Sequence, residues 1–237
     1  MKRILLMVIK NIVLVPWMWI KLCYHAKHTE KYTEEEQYKM LRFITLHANK
    51  GGNVKIDVHG VENLPKDNGF MFFPNHQGLY DVLAIIEACP RPFSVVAKKE
   101  IANIQFLKQV FACMKAYMLD REDVRQEMQV IVHVTEEVKR GRNYLIFAEG
   151  TRSKNGNKVG EFKGGSFKSA TKAKCPIVPV ALIDSFKPFD TNTINPVTVQ
   201  VHFLEPIYYE EYQTMKTTEI AAEVKCRIQK VINENIK

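Results

Sequence analysis

The sequence lacks the patterns that most directly mark metal, nucleotide and hydrolase sites. Its five cysteines lie far apart, with no Cys-x-x-Cys pair, so neither a disulfide framework nor a zinc site is indicated. It also has no Gly-x-x-x-x-Gly-Lys-Ser/Thr loop, no Gly-x-Gly-x-x-Gly fingerprint and no Gly-x-Ser-x-Gly elbow. The sequence therefore gives no indication of phosphate-loop nucleotide binding, dinucleotide binding or serine-hydrolase chemistry.

No apolar run is long and unbroken enough for a simple membrane span. Residues 4–20 would make a helix of about 26 Å, against the ~30 Å of hydrocarbon that a span must cross. Lys10, Asn11 and Pro16 interrupt that run. The interruptions, with Trp17 and Trp19 instead of a small-residue cleavage site after them, also argue against a cleaved signal peptide.

Acidic residues are absent from the first 28 positions, which carry five of the cationic side chains. Lysines beside an apolar segment with two tryptophans favour a helix that lies in or dips into one membrane leaflet. A core-packing helix is the alternative. Thr33 followed by three glutamates predicts a second, amphipathic helix that ends at Gly51-Gly52. We therefore expect a membrane-associated two-helix segment at residues 1–52 and the main domain at residues 53–237.

Positive charge is in excess, with 34 Lys and Arg against 26 Asp and Glu and a net charge of +8. This excess indicates an anionic partner, which is a nucleic acid, a membrane surface or a phosphorylated small molecule. Nucleic-acid binders interleave basic residues with exposed aromatic ones, whereas both tryptophans lie in the apolar N-terminal segment. We therefore expect no nucleic acid as a partner.

From residue 54 onward, short β-branched or aromatic runs alternate with helical patterns, which is typical of an α/β layer fold. The predicted strands are residues 54–61, 69–73, 93–97, 144–147, 177–182 and 197–203. The predicted helices of this part include residues 122–140, ended by Gly141, and residues 218–233.

The first candidate for chemistry follows the predicted strand at residues 69–73. His76 and Asp81 lie on the connection beyond that strand, where α/β proteins place reactive groups. On one continuous helix their side chains would diverge, so they meet only if the chain turns, which Gly78 permits. A hydrogen bond from one imidazole nitrogen to Asp81 would leave the other as a positioned general base. A structural His–Asp pair is the alternative.

Two further strand ends carry polar groups. Residues 147–153 read Phe-Ala-Glu-Gly-Thr-Arg-Ser, a turn whose backbone N–H groups, hydroxyls and guanidinium suit a phosphate or carboxylate. The alternative for Glu149 and Arg152 is a surface salt bridge. Lys98 and Lys99 follow the strand at residues 93–97, and the three strand ends are expected to converge on one edge of the sheet.

Taken in order, these stretches resemble the glycerophospholipid acyltransferase superfamily, and most closely the bacterial 1-acyl-sn-glycerol-3-phosphate acyltransferases. That family is marked by N-H-x-x-x-x-D, a Lys-bearing block that ends in a hydrophobic-Asp-Arg, F-P-E-G-T-R-S, and a V-P block. The corresponding residues here are Asn75-His76 with Asp81, Ala97-Lys98-Lys99-Glu100 with Leu119-Asp120-Arg121, residues 147–153, and Ile177-Val178-Pro179-Val180. Ala148 replaces the usual Pro, which affects the stiffness of the loop and removes no reactive group.

The resemblance implies a central mixed sheet flanked by helices and an acyltransferase activity. His76, oriented by Asp81, would deprotonate the sn-2 hydroxyl of 1-acyl-sn-glycerol-3-phosphate as it attacks an acyl thioester of coenzyme A or acyl carrier protein, giving phosphatidic acid. Glu149 would orient Arg152 or the acceptor glycerol, beside cations that lower its pKa. No metal and no further cofactor is needed. The substrate-binding residues would be Lys98, Arg121, Glu149, Gly150, Thr151, Arg152 and Lys163.

The resemblance further implies a protein held on the cytoplasmic face of the cell membrane, peripherally or monotopically, through its N-terminal helices. Its partners would be the phospholipid bilayer, lysophosphatidic acid and the acyl donor. Two alternatives stay open from the residues alone. One is an acyltransferase for another lysophospholipid, an aminolipid or glycerol 3-phosphate, and the other is a non-catalytic membrane- or lipid-binding protein.

Overall fold

The computed structural model describes residues 2–119 and 124–236, and a seven-stranded sheet forms the centre of this part of the chain. The strands are β1 (Val54–His59), β2 (Met71–Pro74), β3 (Ser94–Lys98), β4 (Tyr117–Leu119), β5 (Tyr144–Leu145), β6 (Ile177–Ile183) and β7 (Val197–Phe203). The helices are α1 (Lys2–Lys10), α2 (Val15–Lys27), α3 (Glu34–Gly51), α4 (Asp81–Ala88), α5 (Gln105–Cys113), α6 (Val124–Lys139), α7 (Lys168–Ala173), α8 (Lys187–Asp190), α9 (Tyr209–Tyr212) and α10 (Thr217–Asn235).

The sheet is mixed, with the strand order β1-β7-β6-β2-β5-β3-β4. Strands β6, β2, β5, β3 and β4 run parallel to one another, whereas β7 is antiparallel to β6 and β1 is parallel to β7. The five parallel strands therefore present their carboxyl ends at one edge. The α/β fold class with a central mixed sheet flanked by helices is confirmed.

Alternating side chains of the central strands fill two cores, one on each face of the sheet. In β2, Phe72 joins the core under α3, α4 and α5, while Met71 and Phe73 join the core under α6, α7 and α10. In β6, Val178 and Ile177 divide in the same way. Successive side chains of a strand point to opposite faces, so a strand covered on both faces is apolar throughout. All seven residues of β6 are accordingly buried.

Most of the expected strands are present with small shifts at their ends. The strand expected at residues 144–147 is shorter, because β5 ends at Leu145. The sequence analysis did not predict β4, a three-residue strand at the edge of the sheet, or α5. The helix expected at residues 122–140 is observed as α6 (Val124–Lys139), and its expected start at residue 122 lies outside the described residues.

The N-terminal segment differs from the expected single helix, because it forms two helices that are bent by 101° at residues 11–14. The Asn11 side chain donates hydrogen bonds to the carbonyls of Met7 and His47, so the break is held against α3. Within the described residues no single helix is long and apolar enough to span a membrane. The bent pair of α1 and α2, taken together, reaches the length and apolar composition of a span.

Buried contacts attach the N-terminal helices to the sheet-bearing part. Met7 of α1 and Leu22 of α2 belong to the same hydrophobic core as the strand residues Phe72 and Val180. The buried Arg3 side chain donates hydrogen bonds to the carbonyls of Gly52 and Asn195 over 2.6 and 2.8 Å. The expected helix after Thr33 is α3, which begins with a capping box between Thr33 and Glu36.

Candidate active site

Three neighbouring strand ends form the candidate site, as the sequence indicated. β5 pairs in parallel with both β2 and β3, so the residues that follow these strands meet at one edge. His76 follows β2, Glu149 follows β5, and Lys98 ends β3. Their convergence results from the parallel pairing alone.

His76 and Asp81 form a hydrogen-bonded pair at this edge. The distance from His76 Nδ1 to Asp81 Oδ2 is 2.7 Å, and the Asp81 side chain is fully buried. Asp81 begins α4, and the four residues between the pair form the turn into that helix. Gly78 was expected to permit this turn, but its φ does not lie in the left-handed region, so the turn does not depend on a conformation reserved for glycine.

Four donors hold the carboxylate of Asp81. Its Oδ2 accepts the Gln77 and Gly78 backbone N–H groups over 2.7 and 3.0 Å, besides the bond to His76. Its Oδ1 accepts the hydroxyl of the buried Ser185 over 2.7 Å. An ionised carboxylate only accepts hydrogen bonds, so Nδ1 of His76 carries the proton and Nε2 is left unprotonated in the neutral imidazole.

The ring and backbone of His76 are fixed independently of Asp81. The imidazole stacks on Phe147, with ring centroids 3.9 Å apart and 22° between the planes. The backbone N–H of His76 donates to Glu149 Oε1 over 2.7 Å, and its carbonyl accepts the N–H of Ser153 over 2.7 Å. The loop after β5 therefore holds the loop after β2 in place.

Glu149 lies among backbone N–H groups and, within the described residues, not beside the cations that were expected. It is buried, and its Oε2 accepts the N–H of Gly160 over 3.1 Å, so both carboxylate oxygens bind backbone groups. Burial raises the pKa of Glu149, and the N–H groups of His76 and Gly160 act in the opposite direction. The expectation that this pKa is lowered by neighbouring cations is wrong, because the pKa is raised and no Lys or Arg side chain among the described residues contributes to it.

The predicted phosphate-binding residues are spread around this edge. Lys98 forms an ion pair with Glu100 at 2.8 Å, and Arg121 lies outside the described residues. Arg152 and Lys163 are exposed, and within the described part of the chain neither side chain has an ion-pair or hydrogen-bond partner. The backbone N–H of Lys163 donates to the Ala148 carbonyl over 2.9 Å, which closes the loop between them.

Gly150 and Thr151 shape the turn that carries Arg152. Gly150 has a φ of 74°, which residues other than glycine rarely adopt, and its N–H donates to the Phe147 carbonyl. Thr151 is exposed.

The sequence analysis missed a set of polar residues that supports the dyad. Gln77 accepts the N–H of Ser185 and donates to Asn157, over 2.7 and 2.8 Å, and Asn157 in turn binds both the N–H and the carboxylate of Asp184. Asp184 and Ser185 directly follow β6, which is parallel to β2. The rule that located His76 at a strand end would therefore have found them.

An apolar cavity of about 550 Å³ lies between the N-terminal helices and the sheet-bearing part. Residues of α1, α2, α3, α4 and α5 line it, together with Leu79 and Phe189. Leu79 is three positions beyond His76 on the same loop, and the Phe189 ring contacts Tyr80 with centroids 5.1 Å apart. The cavity has the size and apolar lining of a site for a long hydrocarbon group.

Comparison with known proteins gives a consistent family. Residues 55–183 match the family model described as Acyltransferase. The 1-acyl-sn-glycerol-3-phosphate acyltransferase BAT2, chloroplastic, of Brassica napus is 32% identical over 158 residues, which are 65% of this chain and 45% of that protein. The 1-acyl-sn-glycerol-3-phosphate acyltransferase of Borreliella burgdorferi is 31% identical over 172 residues, which are 70% of this chain and 68% of that protein. The match thus spans less than half of the plant relative and about two thirds of the bacterial one.

One solved structure shares the fold almost throughout. It is the crystal structure of the 1-acyl-sn-glycerophosphate acyltransferase PlsC from Thermotoga maritima. The TM-score is 0.78 at 23% identity, and the match covers 98% of this chain and 95% of that one. The likeness includes the N-terminal helices, because so little of either chain lies outside it.

Proposed function

The chain belongs to the acyltransferase family, and we propose that it transfers an acyl group from a thioester to the sn-2 hydroxyl of 1-acyl-sn-glycerol-3-phosphate. The product is phosphatidic acid, and the donor is an acyl thioester of coenzyme A or of acyl carrier protein. The observation that carries the proposal is the hydrogen bond between His76 and Asp81 within the region that matches the family.

His76 is the general base of the proposed reaction. Its Nε2 takes the proton of the acceptor hydroxyl while the hydroxyl oxygen attacks the thioester carbonyl. The new C–O bond forms, the C–S bond breaks, and the proton passes from the imidazolium to the leaving thiolate. Asp81 keeps the ring in the required tautomer and stabilises the imidazolium, because its carboxylate accepts the Nδ1 proton. The scheme uses no metal and no further cofactor.

Cationic side chains around the same edge bind the acceptor phosphate in this proposal. Arg152 offers a planar fork of donors that matches phosphate oxygens, and it has no partner among the described residues that would compete. Lys98, Lys163 and Arg121 are the further candidates. Glu149, Gly150 and Thr151 act by shaping the turn, since Glu149 binds the backbone on both sides of it.

The apolar cavity accommodates an acyl chain. Its lining residue Leu79 belongs to the loop that carries His76, so the cavity adjoins the loop of the reacting groups. The lining contains only three polar residues, Asn11, Thr45 and Asn49, which suits a hydrocarbon. The N-terminal helices thus form part of the substrate site as well as of the protein surface.

The N-terminal helices also place the protein on a membrane in this proposal. Large apolar side chains of α1, α2 and the bend between them are exposed, among them Leu5, Ile12, Val13 and Ile20. Contiguous exposed apolar surface beside lysines is typical of helices that lie in a bilayer interface. We place the protein at the cytoplasmic face of the cell membrane, peripherally or monotopically, with the phospholipid bilayer as its partner.

The test is acyl transfer by the purified protein to a panel of acceptors, with the products identified by mass spectrometry. The acceptors are 1-acyl-sn-glycerol-3-phosphate, glycerol 3-phosphate and a zwitterionic lysophospholipid, each with palmitoyl-coenzyme A and palmitoyl acyl carrier protein. We expect phosphatidic acid from the first acceptor and much slower transfer to the others. Faster transfer to another acceptor would reassign the substrate, and no transfer from either donor would favour a non-catalytic lipid-binding protein.

A further inference from the structure

A second concentration of positive charge, besides the one in the first 28 residues, lies in a segment beside the candidate site. Residues 150–174 contain seven Lys and Arg and one carboxylate, which gives a net charge of +6. We call this stretch the cationic segment. Its members are Arg152, Lys154, Lys158, Lys163, Lys168, Lys172 and Lys174, and all seven are exposed.

The charges of the cationic segment are not neutralised within the described residues. None of the seven cations has an ion pair there, and Glu161, the single carboxylate, binds Lys225 of α10. Lys174 instead lies over the Tyr209 ring, 5.2 Å from its centroid. Lys168 and Lys172 are four residues apart on α7 and therefore share one face of that helix, a spacing at which like charges repel. An anionic partner would relieve this repulsion.

The first residues of the cationic segment are hydrogen-bonded to residues of the candidate site. The Ser153 N–H binds the carbonyl of His76, and the Gly160 N–H binds Glu149. From Lys163 the chain continues through a short 3-10 turn into α7, about 9 Å long, whose exposed lysines lead away from the site. The cations thus run from the loop that contacts His76 to the residues just before β6, at the amino ends of the parallel strands.

We propose that the cationic segment is the docking surface for an acidic acyl carrier protein, which delivers the thioester to His76. This inference rests on the proposed acyl transfer and assigns the donor class for it. A protein partner is favoured over a free nucleotide thioester because seven exposed cations without ion pairs among the described residues outnumber the few phosphate charges that one small molecule carries. Complementary charge of this kind steers association and fixes orientation.

A membrane surface fits the cationic segment less well. The large apolar residues that are exposed in the described part of the chain include many in α1 and α2 but none between residues 133 and 193. Helices that bind a bilayer combine basic residues with exposed apolar ones that insert below the headgroups. The cationic segment has only the charges, so it suits a soluble acidic protein.

The test reverses two charges that take no part in the proposed chemistry. Lys168→Glu with Lys172→Glu changes α7, and Lys66→Glu with Lys230→Glu is the matched control, since both of those lysines are exposed and lie outside the segment. Each protein is assayed with palmitoyl acyl carrier protein and with palmitoyl-coenzyme A at several salt concentrations. Circular dichroism and thermal unfolding check that each variant is folded. If the Lys168→Glu, Lys172→Glu variant is not folded, Lys168→Gln with Lys172→Gln takes its place.

We expect the α7 variant to lose about tenfold or more in kcat/KM with the carrier protein donor, with little change for coenzyme A. The wild-type rate with the carrier protein should fall steeply with salt, as expected for steered association. An equal effect on both donors, or no effect on either, would overturn the docking surface. Wild-type transfer from palmitoyl-coenzyme A but not from the carrier protein would also overturn it. The same holds if the α7 variant loses binding to anionic vesicles while its rate with the carrier protein is unchanged. If wild-type protein transfers from neither donor, the proposed function fails, and direct titration with fluorescent carrier protein still tests the docking.

Discussion

The Nδ1 atom of His76 lies 2.7 Å from the Oδ2 atom of Asp81, although five positions separate the two residues and only Asp81 belongs to a helix. The carboxylate that orients the imidazole is itself fixed by the backbone N–H groups of Gln77 and Gly78 and by the hydroxyl of Ser185. The orientation of the base is therefore determined by the buried hydrogen bonds of Asp81 together with the stacking of the imidazole on Phe147.

Ser185→Ala is expected to reduce both stability and turnover. It removes the one side-chain donor that Oδ1 of the buried Asp81 has among the described residues, and an unsatisfied buried polar group costs about 1–3 kcal/mol. Urea unfolding measures the stability, and steady-state kinetics should show a lower kcat with little change in KM. Ser169→Ala is the control, because Ser169 is buried and binds a backbone carbonyl of α6 away from the site. Equal kcat losses in the two variants would refute a specific role for Ser185.

Arg152→Ala is expected to raise KM for the phosphate-bearing acceptor without destabilising the protein. Arg152 is exposed, and its side chain makes no hydrogen bond or ion pair within the described residues that its loss would break. The loss of charge-assisted hydrogen bonds predicts a KM increase of about tenfold or more. Kinetics with palmitoyl-coenzyme A as donor, and Lys154→Ala as the control on the same loop, isolate the acceptor. An unchanged KM for the acceptor would exclude Arg152 from the phosphate site.

Replacing two exposed apolar residues is expected to weaken membrane binding selectively. Val13 and Ile20 are 85% and 69% exposed, so Val13→Ser with Ile20→Ser removes little packing from the folded protein. Burying one such side chain contributes roughly 1.5–3 kcal/mol, which predicts at least tenfold weaker binding to anionic vesicles in a sedimentation assay. Ile194→Ser, at an exposed position outside the N-terminal helices, is the control. Unchanged vesicle binding by the double variant would contradict the assigned membrane contact.

His202 is expected to make the stability of the fold depend on pH. Burial, and then the neighbouring His59, lower the pKa of His202 to about 4 from its ordinary 6.5. The unfolded chain therefore binds this proton near pH 6.5 and the folded chain only near pH 4. The contribution is fully present above pH 6.5 and declines by roughly 3 kcal/mol as the pH falls toward 4.

Urea unfolding of wild type and His202→Gln across that range tests this dependence. The difference between the two free energies of unfolding should change with pH, because Gln does not titrate. His47→Gln is the control, since His47 lies on α3 away from β7. A difference that stays constant from pH 7 to pH 4 would show that His202 is not the titrating group.

The sequence predicts those parts of the site that depend on strand order alone. Apolar runs indicate β2 and β5, and polar residues directly after them indicate His76 and Glu149. Parallel strands bring such ends to one edge, so their convergence needs no knowledge of side-chain packing. The Asp81 contact also follows, because a turn of four residues is the only way for it to reach His76.

Other features depend on contacts between distant parts of the chain. Ser185 binds Asp81 from 104 positions away, so its place after β6 indicates that it lies at the site but not that it contacts this carboxylate. The bend at residues 11–14 is held by Asn11 against His47 of α3, so it is a property of the packed molecule. The raised pKa of Glu149 also depends on such contacts, since burial raises it and the loop at Gly160 contacts its carboxylate. β4 is short and lies at the sheet edge, where the apolar pattern is weak.

The central claim is that His76 acts as the general base in acyl transfer to 1-acyl-sn-glycerol-3-phosphate, and His76→Ala tests it most directly. The measurement is the rate of phosphatidic acid formation by the variant and by wild type, with vesicle binding and thermal unfolding confirming that both are folded and docked. We expect kcat to fall by about 10²- to 10⁴-fold, the usual contribution of a general base. A folded variant that retains more than about a tenth of the wild-type kcat would contradict the account.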